Sequence, residues 1–216
     1  MITITPAGPD DLAAAAAVLA DAFVDDPVTG AVLRRTGADR LGCARHLFVA
    51  LLRPAIADGT VDVARRAGDD QVLGAAIWEA PGAVTTIVRL AAQLPSFWRA
   101  CGAAGLRRAL VTKRAVERYR PRQPHWYLQE IGVAAAARGE GIGGALLDAR
   151  LADVDRQDAG AYLESSTERN RRLYRRHGFL EGAPVRGVPA VPVTMWRPPL
   201  SQRATRPPVT TRGPSA

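Results

Sequence analysis

The stretch from Ile131 to Leu147 constrains this chain most: an apolar, β-competent run (Trp126 to Val133), then Gly139, Gly141, Gly143 and Gly144 within six residues, then a helical run with Leu147, Leu151 and Val154 on one side. A strand that enters a helix through glycines presents the unpaired N–H groups of the first helical turn to whatever lies above it. The helix dipole adds partial positive charge there, and the glycines let a ligand approach the backbone closely. An anionic, phosphate-bearing ligand is the expected occupant. The nucleotide pattern Gly-x-x-x-x-Gly-Lys-Ser/Thr is not met, because neither Lys-Ser nor Lys-Thr follows Gly143 or Gly144. Gly139-Glu140-Gly141-Ile142-Gly143-Gly144 can be aligned with a dinucleotide fingerprint, with Glu164 near the distance of its acidic partner, so that reading stays open.

The rest of the chain bounds the setting. With 216 residues, 47% hydrophobic and 23% charged, it has the length and composition of one globular domain. Cys43 and Cys101 are far apart and lack metal-ligand spacing; they read as buried thiols, and no metal site is expected. No run of 18 apolar residues and no basic leader is seen, from which a cytoplasmic protein without a membrane span is expected. The net charge is +8, and Arg203, Arg206 and Arg212 of the last sixteen residues supply +3 of it. Eight cations and one acid, Glu117, lie between Arg99 and Arg122, which reads as a solvated helical face; without a nucleic-acid motif, a nucleic-acid partner is not expected.

Along the chain, Ile2 and Ile4 alternate with Thr3 and Thr5 as a short strand, and Pro9-Asp10-Asp11 opens an alanine-rich helix that ends near Val24. Asp25 and Asp26 either attract a cation or simply solvate that end. Arg40 to Asp58 reads as a helix, and Thr60–Arg65 with Val72–Glu79 as a hairpin. Residues from about 83 to 120 form a helical insert broken near Pro95 and near Gly102 and Gly105. After the glycine loop a helix is expected to reach Gly160 as its C-terminal glycine. The strand 161–164 follows, then a capping box over Ser165–Glu168 and a helix through Tyr174 to Gly178. Phe179-Leu180 opens a strand, and the last strand, 191–196, carries Pro192 as an edge or bulge signal. Residues 1–200 read as one domain and 201–216 as a disordered, basic, Pro-rich tail.

In the central strand, Trp126 and Leu128 share one parity while Ile131 and Val133 share the other. Either an extra residue near Gln129-Glu130, a β-bulge, brings all four to one face, or the strand is buried on both faces.

Three segments agree in order and spacing: the strand Trp126–Val133, the loop Arg138-Gly139-Glu140-Gly141-Ile142-Gly143, which fits Arg/Gln-x-x-Gly-x-Gly/Ala, and Asn170 with Tyr174, Gly178 and Phe179. Together they resemble the GNAT superfamily of N-acetyltransferases. Within it, His125–Val133, Tyr162–Ser165, the Tyr174 block and Ala22-Phe23 with Asp26-Pro27 are most similar to the puromycin N-acetyltransferase-like members. The resemblance implies an α+β, α/β/α-layered fold: a mixed, mostly antiparallel sheet flanked by helices, with splayed central strands holding acetyl-CoA between them. It implies that Ile131, Gly132 and Val133 line the pantetheine arm and that the amides of Arg138, Gly139, Glu140, Gly141, Ile142, Gly143 and Gly144 hold the pyrophosphate. It also implies that Asn170 contacts the cofactor and that Tyr174 faces the sulfur. The sequence departs from the family at Glu140, where Lys or Arg is frequent, and at Ala135, where Pro is.

Amide formation poses two proton problems: the amine must lose a proton, and the thiolate gains from receiving one. Tyr174 is the candidate acid. Glu130, at the suspected bulge, is the first candidate base, with Glu164 second and His125 third. A small-molecule amine, such as an antibiotic or nucleoside-like amine, is the expected acceptor. A protein lysine or N-terminus, or a non-catalytic acyl-CoA-binding module, are the alternatives. The expected assembly is a monomer or homodimer.

Overall fold

The computed structural model describes residues 1–34, 39–82 and 91–204. Its framework is a seven-stranded sheet: β1 (Ile2–Pro6), β2 (Val61–Arg66), β3 (Gly74–Glu79), β4 (His125–Val133), β5 (Gly160–Ser165), β6 (Leu180–Pro184) and β7 (Val193–Arg197). The spatial order is β1-β2-β3-β4-β5-β7-β6, and every neighbouring pair is antiparallel except β4–β5. The α/β/α layering and the mostly antiparallel sheet are as expected.

Each face has its own core. On one side, Ala64, Ala76, Trp78, Trp126, Leu128 and Leu163 pack under α5 (Ile142–Arg156) and against Tyr174 of α6 (Glu168–Arg176). On the other, Val61, Val63, Ala75 and Ile77 pack under α1 (Leu12–Phe23) and α3 (Arg40–Ala57). The helical periodicity of α5 buries Leu146, Leu147, Leu151 and Val154, roughly 1.5–3 kcal/mol for each leucine. A buried ion pair fastens the same helix to β2: the Arg150 guanidinium grips both oxygens of Asp62 at 2.7 and 2.8 Å and lies 5.3 Å from the Trp126 ring. Burial pushes the Asp62 carboxyl up, and Arg150 opposes that rise.

Within the insert, α4 (Leu94–Glu117) rests on α3 and on the short α2 (Pro27–Val32). It kinks at Gly102, whose φ of 60° favours glycine. Gly105 lets the helix touch α2: a Cβ there would sit 2.2 Å from the Val32 carbonyl oxygen. Residues 83–90 of the expected insert lie outside the described residues.

Four local readings change. Pro9–Asp11 forms a 3-10 turn, and α1 begins at Leu12. Gly160 does not cap α5, which ends at Arg156; it is the first residue of β5, where a Cβ would stand 2.2 Å from the Trp196 ring. The cap of α6 is Thr167, whose side chain accepts from the Asn170 amide at 3.2 Å, while the Ser165 hydroxyl turns to the Thr167 carbonyl. Pro192 precedes β7, which is an inner strand between β5 and β6. The start of the expected tail is ordered. Leu200–Ala204 form a short helix, α7, fastened by the Asp158 carboxylate to the Ser201 amide at 2.8 Å and by the ion pair of Arg203 with Asp155. Residues 205–216 lie outside the described residues.

Among the described residues, no helix is long and apolar enough to cross a membrane. Cys43 and Cys101 are free and buried; burial pushes the Cys101 thiol up to about 11, which keeps it protonated.

Candidate active site

The site is built by one irregularity in β4. Ile77 of β3 stands opposite Glu130, but the next residue, Trp78, stands opposite Leu128, so Gln129 has no partner. This extra residue resolves the parity conflict: Trp126, Leu128, Ile131 and Val133 all meet the α5-side core. Gly132 consequently faces α1, where a Cβ would lie 2.9 Å from Ala22 and 3.0 Å from Leu19. The bulge also bends β4 away from its parallel neighbour. β4 and β5 are in register only over His125–Tyr127 with Gly160–Tyr162. Beyond that point Leu163–Ser165 pair with β7 alone, and a gap opens between Leu163–Ser165 and Leu128–Val133.

The glycine loop lies beyond the outer end of this gap. Gly139 and Gly141 adopt φ of 93° and 79°, and no atom lies within 4 Å of the place where either would carry a Cβ. Gly141 caps α5. The amides of Gly139, Gly141, Ile142, Gly143 and Gly144 donate to no acceptor among the described residues; the first α5 amide bound back to the loop is that of Ala145, to the Gly141 carbonyl at 3.0 Å. Open space above glycines, unpaired donors and a helix N-terminus suit a pyrophosphate. The Ile142 side chain is buried and anchors this turn, and Gly143 and Gly144 let α6 approach, with Leu173 and His177 near 3.6 and 3.7 Å from their would-be Cβ atoms.

Glu140 is held by a partner the sequence did not reveal. Nη2 of Arg66, at the end of β2, donates to both of its carboxylate oxygens at 2.7 and 2.8 Å. Arg138 is exposed and reaches Asp21 at 3.8 Å. Its amide donates to the Ala135 carbonyl at 3.4 Å and that of Glu140 to the Ala137 carbonyl at 3.5 Å, so, contrary to expectation, neither is among the loop's unpaired donors.

Candidate proton-transfer groups gather at the gap. Tyr174 is 5% exposed and packs edge-on against Phe179 at 5.9 Å. Burial pushes its hydroxyl up, and the Glu130 carboxylate adds to the rise, so the phenol stays protonated at neutral pH. Asn170 is one turn earlier on the same helix and exposed. Glu130 is partly buried; loss of solvent, and then the carboxylates of Asp26 and Glu164, push it up to about 8. Glu164 accepts from the Tyr127 hydroxyl at 2.9 Å; burial raises it against the opposing pull of the two neighbouring tyrosine hydroxyls and Arg120. Asp26 caps α2, accepting from the Val28 and Thr29 amides at 2.9 Å, and its second oxygen accepts from the Ser166 hydroxyl.

His125 stands apart from this group. Its Nδ1 lies 2.7 Å from the Gln123 carbonyl, and its Nε2 accepts from Arg120 Nε at 3.2 Å. Both ring nitrogens are occupied, and burial first, then Arg120 against the Gln123 bond, leave its pKa lowered, so the ring is a neutral structural piece of the wall. Sequence reasoning passed over Tyr127, Tyr162, Arg120 and Arg66. The repeat of Tyr162 and Glu164 at a two-residue interval was the one available signal.

Residues 95–181 match the family model described as acetyltransferase (GNAT) domain. Solved structures with the same fold include one from Corynebacterium glutamicum described as histone acetyltransferase HPA2 and related acetyltransferase. It is 28% identical, with a TM-score of 0.71 over 96% of this chain and 99% of that one. Polyamine N-acetyltransferase of Drosophila melanogaster (15% identity, TM-score 0.59, 91% and 97% coverage) and arylalkylamine N-acetyltransferase 2 of Aedes aegypti (15%, 0.60, 91% and 98%) share the fold. The matched domain and the fold are those of an acetyltransferase enzyme.

Proposed function

We propose that the chain is an acetyl-CoA-dependent N-acetyltransferase that transfers the acetyl group directly to a primary amine of a small molecule. The observation that carries this reading is the convergence of Glu130 and Tyr174 at a gap between β4 and β5 that leads outward to the unpaired amides of the glycine loop. Bound acetyl-CoA supplies the acetyl thioester, whose carbonyl carbon the amine attacks and whose C–S bond then breaks. The unpaired amides of Gly139, Gly141, Ile142, Gly143 and Gly144 would hold the pyrophosphate, and the backbone of Ile131, Gly132 and Val133 would line the pantetheine arm. Asn170 adds a polar contact from α6. Glu130, with its pKa near 8, accepts the proton of the ammonium group, directly or through one water. Tyr174, kept protonated by burial, donates its hydroxyl proton to the departing sulfur, and the second proton, lost by the nitrogen as the amide forms, passes to solvent, from which Tyr174 is reprotonated. Cys43 and Cys101 take no part.

The acidic groups around Glu130 favour a cationic amine, and the resemblance to puromycin N-acetyltransferase-like enzymes puts aminoacyl-nucleoside amines first among acceptors. A lysine-bearing peptide is the second reading, favoured by the name of the 28%-identical relative. Calorimetry with acetyl-CoA, beside thiol release on a panel holding puromycin, alkyl amines and a histone-tail peptide, tests both. Binding with release on a small amine is expected; release on the peptide alone would move the acceptor to protein, and no binding near millimolar acetyl-CoA would end the reading.

A further inference from the structure

The gap holds more polar machinery than two proton transfers require. Tyr162 and Glu164 stand two residues apart on β5 and face the same side of the sheet as Tyr127 and Glu130. Tyr162 is 2% exposed, and its hydroxyl faces the Glu164 carboxylate without forming a well-aligned hydrogen bond; Glu164 Oε1, also buried, has no well-formed bond either, and only Oε2 is taken, by Tyr127. A buried polar atom without a partner costs about 1–3 kcal/mol, and native proteins keep few without a reason. Tyr162 is the last residue of β5 paired with β4, opposite Tyr127, and Glu164 lies two residues beyond it, next to Glu130, so the pair stands beside the acid and base at the closed end of the gap.

The local charge runs against the chain's net +8. Asp26, Glu130, Glu164 and Glu79 are the acids here, and the facing cation, Arg120, is spent: it pairs with Glu79 at 2.8 Å, donates to His125 and lies 4.2 Å over the Tyr127 ring. Tyr127 and Tyr162, with centroids 6.0 Å apart, give the region an aromatic wall. Two acceptors, acidic surroundings and π faces describe a receptor for a cation that donates hydrogen bonds.

Resting on the active-site reading above, we infer that the acceptor is bifunctional. Its primary amine reacts at Glu130, and a second, positively charged hydrogen-bond donor a few bonds away is received by Tyr162 Oη and Glu164 Oε1.

The test compares three amines of equal chain length at saturating acetyl-CoA: a linear alkyl monoamine, its ω-amino alcohol and its α,ω-diamine. The diamine is expected to exceed the monoamine in kcat/KM by at least about ten-fold, with the alcohol between them. Tyr162→Phe and Glu164→Gln should each bring the diamine-to-monoamine ratio close to one. Tyr162→Phe removes a single oxygen and decides the matter alone if Glu164→Gln does not fold. A wild-type ratio near one, or a ratio that neither variant changes, overturns the subsite. Calorimetry with acetyl-CoA and turnover of the monoamine test the underlying reading separately. Their failure removes the active site and the subsite with it; their success with a flat ratio removes the subsite alone.

Discussion

β4 and β5 are one strand pair with two unlike ends. At the paired end, over His125–Tyr127 and Gly160–Tyr162, hydrogen-bonding and packing needs are met within the protein except at the Tyr162 hydroxyl, which borders the gap. Both nitrogens of His125 are bonded, Trp126 Nε1 donates to Gln157 at 3.0 Å, and Gly160 leaves room for the Trp196 ring. At the splayed end a carboxyl is pushed up to about 8, a carboxylate oxygen lacks a partner, and the two strands no longer pair with each other. Chemistry needs groups whose preferred partners are withheld; stability needs the reverse. The two demands are met by the same two strands, a few residues apart.

Substitutions can separate the two ends. The largest effect is expected from Tyr174→Phe, which should lower kcat by about 10²-fold or more while leaving acetyl-CoA affinity unchanged by calorimetry. An unaltered kcat would take Tyr174 out of the mechanism. Glu130→Gln should lower kcat/KM by about 10²-fold and remove the rising limb of the pH profile that the wild type shows up to about pH 8. The same group sets a stability trend. Its folded pKa lies above its unfolded value, so its contribution is fully present below the ordinary carboxylate range and is lost as pH rises through about 8. The wild-type melting temperature should therefore fall from pH 5 to pH 8 more steeply than that of Glu130→Gln; parallel curves would count against the buried carboxyl.

At the paired end, Gly160→Ala should cost stability, roughly 1–3 kcal/mol from the clash with Trp196, and leave acetyl-CoA binding intact. Weakened binding at unchanged stability would erase the distinction between the ends. The smallest effect concerns the loop. Arg66→Ala frees the Glu140 carboxylate beside the phosphates and should weaken acetyl-CoA by about two- to five-fold, the range of a half-exposed ion pair. Adding Glu140→Ala should restore the affinity, and a double variant as weak as the single would show that Arg66 acts on the ligand itself.

Much of this site can be read from the sequence because its signals are local. The strand, the glycines and the helix after them are consecutive, and the parity break at Gln129-Glu130 lies within one strand. The residues missed are those defined by a partner far along the chain. Arg66 and Glu140 are 74 residues apart, and Tyr127 and Glu164 are 37 apart. Gly160 was misjudged for the same reason: glycine after a helix is a sound local signal, but the Trp196 ring that demands it belongs to another strand. The Ser165–Glu168 spacing points to a capping box, but Ser165 is still the last residue of β5, so the helix is capped two residues later, by Thr167.

The bulge makes β4 behave like a reading frame. Removing any residue on either side of Gln129 shifts the following side chains by one place, and the strand must turn Ile131 and Val133 out of the core or dissolve the bulge to recover them. Gln129 is the exception. Its deletion keeps Leu128 opposite Trp78 and Glu130 opposite Ile77, so every apolar contact survives while the bend is lost. A chain one residue shorter at that point would retain its core, straighten its central strand and draw β4 toward β5. The opening between the strands is thus encoded as a count of residues, and in related chains a change of length here would carry more meaning than a change of side chain.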